Sequence, residues 1–195
     1  MSDPSSVIIK WIMLINASAE FLVVFIFTGG MLALYIAFHR LSKLTKQGQM
    51  QSMVEYSPKS VFILFIVCAF CMHLAGFISS LDSTIFAGVG GIDSPDPLSW
   101  RADDSVNSSG GPEVLMMIFL KKVIQFFGLL GVGKGLKVMY NLSNVNRNNN
   151  DAGIGAMTAY LTGGIALIKI DKTVAVAADL LPVLDGLVQA FNVNY

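Results

Sequence analysis

Apolar residues in this chain come in long blocks. The cleanest block is residues 61–81: 21 consecutive positions whose only ionisable groups are His73 and the thiols of Cys68 and Cys71. Such a run without fixed charge is the signature of a bilayer-spanning helix. At about 1.5 Å of rise per residue it covers roughly 30 Å, the thickness of a hydrocarbon core. Residues 11–38 hold one charge, Glu20. As one helix they would cover about 42 Å, so the pattern predicts a crossing over 21–38. An interfacial segment over 11–19 precedes it, with Trp11 at headgroup depth. A third block, 114–140, carries Lys121, Lys122, Lys134 and Lys137 around an uncharged centre. Lysines that snorkel from both ends fit it to a crossing over 118–139. A fourth crossing, 152–168, is short and rich in Gly and Ala. The last block, 173–191, is interrupted by Asp179, Pro182 and Asp185. It reads as an interfacial or re-entrant helix, or as a fifth crossing.

The expected fold is therefore all-α: a polytopic α-helical membrane protein with four crossings, all 195 residues forming one integral membrane domain. The segments between blocks set its orientation. Loop 39–60 carries Arg40, Lys43, Lys46 and Lys59 against Glu55 alone. Loop 82–113 carries Asp82, Asp93, Asp96, Asp103, Asp104 and Glu113 against Arg101, with Gly, Ser and Pro throughout. The 141–151 turn is basic again. Basic loops stay inside, so 39–60 and 141–151 are inner, and the N-terminus, 82–113 and 169 onward are outer. Lys121 and Lys122, near the outer face, oppose the rule. The N-terminus lacks the basic-then-short-apolar order of a signal peptide and reads as retained.

Only 13% of the residues are charged, against roughly 25% in soluble domains, and 54% are hydrophobic. Net charge is zero, so the total says nothing about nucleic acid and the distribution of charge says more. The two cysteines make no disulfide framework.

Candidate chemistry is sparse. Gly128 to Gly135 reads Gly-Leu-Leu-Gly-Val-Gly-Lys-Gly, a near match to a phosphate-binding loop. Its last position lacks the metal-binding hydroxyl, and its context is not a strand, so it reads as a helix face notched by glycine. Cys68, Cys71 and His73 look like a metal cluster, but at about 100° per residue the imidazole points away from both thiols. His73 remains a candidate polar contact, since ionisable groups inside a membrane tend to be functional. Lys122, Gln125, Gly133, Lys137 and Tyr140 share one helix face, read as snorkelling lysines with Gln125 bonded to a neighbour, or as the lining of a polar cavity. Asp179 would be costly in lipid, at about 3 kcal/mol at a helix centre, and calls for an interfacial place or a partner. Thr28-Gly29-Gly30 is echoed by Thr162-Gly163-Gly164. These glycines read as helix-packing notches, with a duplicated element as the alternative. No catalytic set, cofactor motif or metal pattern emerges.

The size and order of the apolar blocks, the opening Met1-Ser-Asp-Pro-Ser-Ser leading into Trp11-Ile-Met-Leu-Ile-Asn, and the ending Leu187-Val-Gln-Ala-Phe-Asn resemble the IcmC/DotE family. These are small inner-membrane components of bacterial type IVB (Dot/Icm) secretion systems. The resemblance implies a structural or assembly subunit, not an enzyme, in a complex that exports effector proteins or DNA from a Gram-negative cell. It also implies a multi-pass place in the inner membrane, where the outer N-terminus expected from the loop charges is periplasmic. Expected partners are other inner-membrane subunits, the lipid bilayer and further copies of this chain, without direct nucleic-acid binding. The Gly/Ala-rich crossing, the Lys169-Ile-Asp-Lys172 turn and the last block also resemble the hairpin of conjugative pilins. A small channel or transporter, with His73, Lys122, Gln125 or Asp179 lining a path, is the rival function.

Overall fold

The computed structural model describes residues 4–47, 57–85, 112–143 and 153–180. Its described elements are six helices: α1 (Pro4–Gln47), α2 (Pro58–Met72), α3 (Leu74–Ile85), α4 (Pro112–Leu142), α5 (Ile154–Ile168) and α6 (Ile170–Leu180). Helices α1 and α4 are each long and apolar enough to cross a membrane, and the bent pair α2–α3 adds a third crossing if it acts as one span.

Helix α1 corrects the expected division at residue 20. It runs unbroken for 44 residues, or about 66 Å. The interfacial segment 11–19 and the crossing 21–38 are one rod, because one buried stripe runs through both. Ile12, Asn16, Ala19, Ile26, Gly30, Ala33 and Ala37 are buried, and half-buried Val23 fills the gap in the stripe. The steps alternate between four and three residues, the spacing of a left-handed helix seam. Four of the eight seam residues, Ala19, Gly30, Ala33 and Ala37, are small, which lets neighbouring backbones approach. Large side chains occupy the other faces: Phe21, Phe25 and Tyr35 are each more than 60% exposed. An apolar surface of that extent belongs in lipid or against other proteins. Thr28 and Ser18 on this helix donate their hydroxyls to carbonyls one turn back, Val24 and Leu14, so they need no outside partner.

The 61–81 run also differs from expectation. Pro58 opens α2 behind an extended Ser57, as suits a residue without an N–H. The helix then stops at His73, and α3 leaves at 95°. Helix α2 has 15 residues, about 22 Å, so the straight crossing predicted there is a broken one. The break carries no sequence signal. Leu64, Val67, Cys71, Leu74, Ile78 and Asp82 are all buried, at helical spacing, on both sides of it. Helix α5 is also 15 residues and falls short of a hydrocarbon core. The predicted crossing over 118–139 lies inside α4.

Two poles organise the bundle. At one pole Arg40 Nη1 donates to Ser60 Oγ at 3.2 Å and to the carbonyl of Ser143 at 3.3 Å. The C-terminal ends of α1 and α4 and the start of α2 therefore meet there. At the other pole lie the ends of α5 and α3 and the first third of α4. Helices α1 and α4 run parallel, and α2 and α5 run back along them. One apolar cluster, with Ala19, Ile26, Val67, Ile78, Leu129, Val132 and Ile165, fills the middle. A smaller one, with Ala33, Ala37, Leu64 and Cys68, lies toward the Arg40 pole.

The chain also repeats itself in space. A long helix, a 15-residue helix, a single-residue break and a short helix occur twice, as α1–α2–α3 and α4–α5–α6. The break residues, His73 and Lys169, adopt nearly the same backbone conformation (φ −120°, ψ 45° and φ −102°, ψ 49°). In each half a glycine of the long helix meets the last turn before the break. Gly30 abuts Cys71 and Met72, and Gly128 abuts Ile168.

Candidate functional site

The chemistry gathers where α3 and α4 meet the α5–α6 break. Helix α5 ends at Ile168, so its last carbonyls lose their intrahelical donors. Two side chains reach them. Gln125 Nε2, from α4, donates to the carbonyl of Ile168 at 3.3 Å. The hydroxyl of Thr173, on the first turn of α6, lies 2.6 Å from the carbonyl of Ala166 and 3.0 Å from that of Lys169. The break is thus held from outside and from within.

Charges surround it. Lys172 Nζ lies 2.9 Å from Asp82 Oδ2, and Lys169 Nζ lies 3.8 Å from the same oxygen. All three side chains are only 12% exposed. Lys121, on α4, meets Asp171 Oδ2 at 2.9 Å. Five charged side chains from α3, α4, α6 and the break residue itself thus form two ion-pair groups at one pole. Each carboxylate uses Oδ2 and leaves Oδ1 buried without a hydrogen-bond partner. An unmet buried acceptor costs about 1–3 kcal/mol. The seam of α1 carries a third such atom, Asn16 Oδ1. This pole therefore holds its charges at a cost in stability.

Several sequence expectations change here. Asp82 does not begin a polar outer loop. It ends a buried stripe on α3 and bridges to the second half of the chain. Lys169 to Lys172 is not a turn, because only Lys169 breaks the helix and α6, from Ile170, takes in Asp171 and Lys172. Lys121, one of the two lysines that oppose the positive-inside rule, is paired with Asp171. Its companion Lys122 is half-buried on the same helix.

His73 makes no reach into the bundle. It is exposed at the break, and its imidazole folds onto Gly76, where a Cβ would collide with the ring. Cys68 and Cys71 are free and buried, and they pack in different apolar clusters. The shared face of Lys122, Gln125, Gly133, Lys137 and Tyr140 divides between neighbours. Gln125 serves α5, Gly133 faces Ile26 of α1, and Lys137 is exposed. Asp179 lies in the last turn of α6, and its side chain falls outside the described residues, as do Pro182 and Asp185.

The four candidate notch glycines face different ways. Gly30 and Gly164 are pressed against neighbours: Gly30 against Cys71, and Gly164 against Gly128 and Val132. A Cβ on Gly29 or Gly163 would meet nothing within 4 Å, so these two point out of the bundle. The tightest glycine face is the stretch that mimics a phosphate loop. Gly128, Gly131 and Gly135 lie against Gly164, Ile168 and Leu161 of α5. The Thr-Gly-Gly echo is also not the spatial repeat, since Gly30 is on the long helix of its half and Gly164 on the short one.

Comparisons with protein-family models, with curated proteins and with solved structures return no match for this chain.

Proposed function

We propose that this chain is a structural or assembly subunit of a bacterial inner-membrane complex of the type IVB secretion kind. In this reading it crosses the bilayer through α1, the α2–α3 pair and α4, with the shorter α5 as a fourth crossing around which the bilayer thins and α6 at the outer interface. The observation that carries the reading is α1. It is about twice as long as a hydrocarbon core is thick, and its aromatic faces are left uncovered by the other described helices. A rod of that kind suits attachment to neighbouring subunits. Gly29 and Gly163, open to the outside, suit close approach by partner helices or by a second copy. The Arg40 pole, with exposed Lys43, Lys59, Lys134 and Lys137, is the cytoplasmic side. At the opposite pole Lys121, Lys169 and Lys172 are offset by Asp82 and Asp171, which accounts for cations on the periplasmic side. The N-terminus is then periplasmic. The test is copurification from mild detergent in the native membrane, with the bound subunits identified. A stable set of other inner-membrane proteins supports the reading. Recovery of this chain alone would sink it.

One observation favours a second reading, a small channel or transporter. Discontinuous helices at matching places in two repeats mark substrate and ion sites in many transporters, and here the second break is ringed by buried charge. Purified protein in liposomes should then carry a flux that Asp82→Asn abolishes. Sealed liposomes with the wild-type protein would exclude it.

A further inference from the structure

We infer that the Asp82–Lys172 ion pair is a latch that keeps α3 folded across the α5–α6 break, and that releasing it lets residues 58–85 straighten into one helix. This goes beyond the assembly reading and does not depend on it.

The bend has no covalent cause. Sharp kinks come from Pro, from small-residue pairs or from an inserted group. His73 is none of these, and Gly76 lies beyond it. Only one residue leaves the helical conformation, and hydrogen bonds flank it closely: His73 N–H donates to Ala69, and Phe77 N–H to the carbonyl of His73. The first N–H groups of α3 lose the partners they would have in a continuous helix. Straightening restores them.

The side chains fit both forms. Cys71, Leu74, Ile78 and Asp82 follow one another at steps of three and four, so a straight helix keeps them on one face. What distinguishes the bent form is long-range. Asp82 meets Lys172 at 2.9 Å and Lys169 at 3.8 Å, and Leu74 and Ile78 enter the central cluster beside Ile165 and Ile168. The bent form also carries a penalty, since Asp82 Oδ1 is buried without a donor. In a straight helix of 28 residues, about 42 Å long, Asp82 moves to the end and out of the hydrocarbon region. A carboxylate with one oxygen unmet, held by two lysines across a break that has no proline, is the arrangement of a catch.

The test measures the distance between spin labels at Ser83→Cys on α3 and Thr158→Cys on α5, both exposed positions, in a Cys68→Ala/Cys71→Ala background. Swinging α3 through 95° about His73 displaces residue 83 by on the order of 20 Å. The wild type should show one short distance, with any long population below about 10%. Lys172→Gln should add a minor long population, because Lys169 remains as a second partner. Asp82→Asn and Lys169→Gln/Lys172→Gln should each make the long distance dominant. A single unchanged short distance in those last two variants overturns the latch. Hydrogen exchange on the same variants is a second readout. The amides of residues 74–76 should be better protected in Asp82→Asn and in Lys169→Gln/Lys172→Gln than in the wild type, because straightening gives them the carbonyls of Phe70, Cys71 and Met72 as partners. Unchanged protection there would reject the proposal. Neither measurement requires a partner, so a failed copurification leaves both intact.

Discussion

Lys172 Nζ sits 2.9 Å from Asp82 Oδ2, joining residues 90 positions apart and fastening the first half of the chain to the second. Both side chains are largely withdrawn from water. Removing one partner of a buried pair leaves an uncompensated charge, which costs about 3–5 kcal/mol. Lys172→Met should therefore lower stability less than Asp82→Leu, because Lys169 stands by for Asp82, whereas loss of Asp82 takes the shared carboxylate from two lysines at once. The double variant Asp82→Leu/Lys172→Met should recover part of the loss. Thermal unfolding of the three variants in one detergent checks the order. Additive losses would show that the pair does not act as a unit.

Gln125 caps a helix it does not belong to. Its amide donates to Ile168, whose carbonyl has no donor within α5. Gln125→Leu keeps the volume and removes the donor. The expected loss is about 1–3 kcal/mol, the cost of an unmet buried acceptor. Gln125→Glu should be no better, because a carboxylate cannot donate. Equal stability of Gln125→Leu and the wild type would mean that water reaches the carbonyl.

Length and charge made the helical class readable, but not the breaks. Residues 61–81 contain no proline, and their one glycine, Gly76, lies past the break, while their buried stripe keeps helical spacing through His73. The bend is decided by contacts with α5 and α6, which lie far away in the chain. The same holds for the site. Asp82, Lys169, Asp171 and Lys172 read as loop charges because each sits at the end of an apolar block. The one available signal was the pair Lys121 and Lys122, cations on the wrong side of the topology, and Lys121 does prove to have an acid partner. Glycines mislead for a related reason. Gly29 and Gly30 are neighbours in sequence, yet helical geometry sends one outward and the other into Cys71.

That division of glycines predicts a division of phenotypes. Gly128→Leu and Gly164→Leu insert side chains where a Cβ already meets backbone atoms at 2.6 to 2.8 Å. Overpacking of this kind costs about 1–3 kcal/mol or more. Gly29→Leu and Gly163→Leu enter open space and should change the stability of the isolated chain by less than about 1 kcal/mol. If partners dock there, these two outward variants should lose copurification while their unfolding stays normal. Destabilisation of the isolated chain by Gly163→Leu would contradict its outward placement.

Gly76 and His73 offer the cleanest test of the break itself. The imidazole occupies the space a Cβ at position 76 would need. Gly76→Ala must therefore displace the ring, even though alanine is the better helix former by about 1 kcal/mol. Alone, the substitution should destabilise the bent form or push the ring away. In a His73→Ala background the obstacle is gone and only the helix preference remains, so the same Gly76→Ala change should become stabilising. A double-mutant cycle read by thermal unfolding measures this reversal of sign. Equal effects of Gly76→Ala in the two backgrounds would show that the ring does not rest on that glycine, and would remove His73 from the packing of the bend.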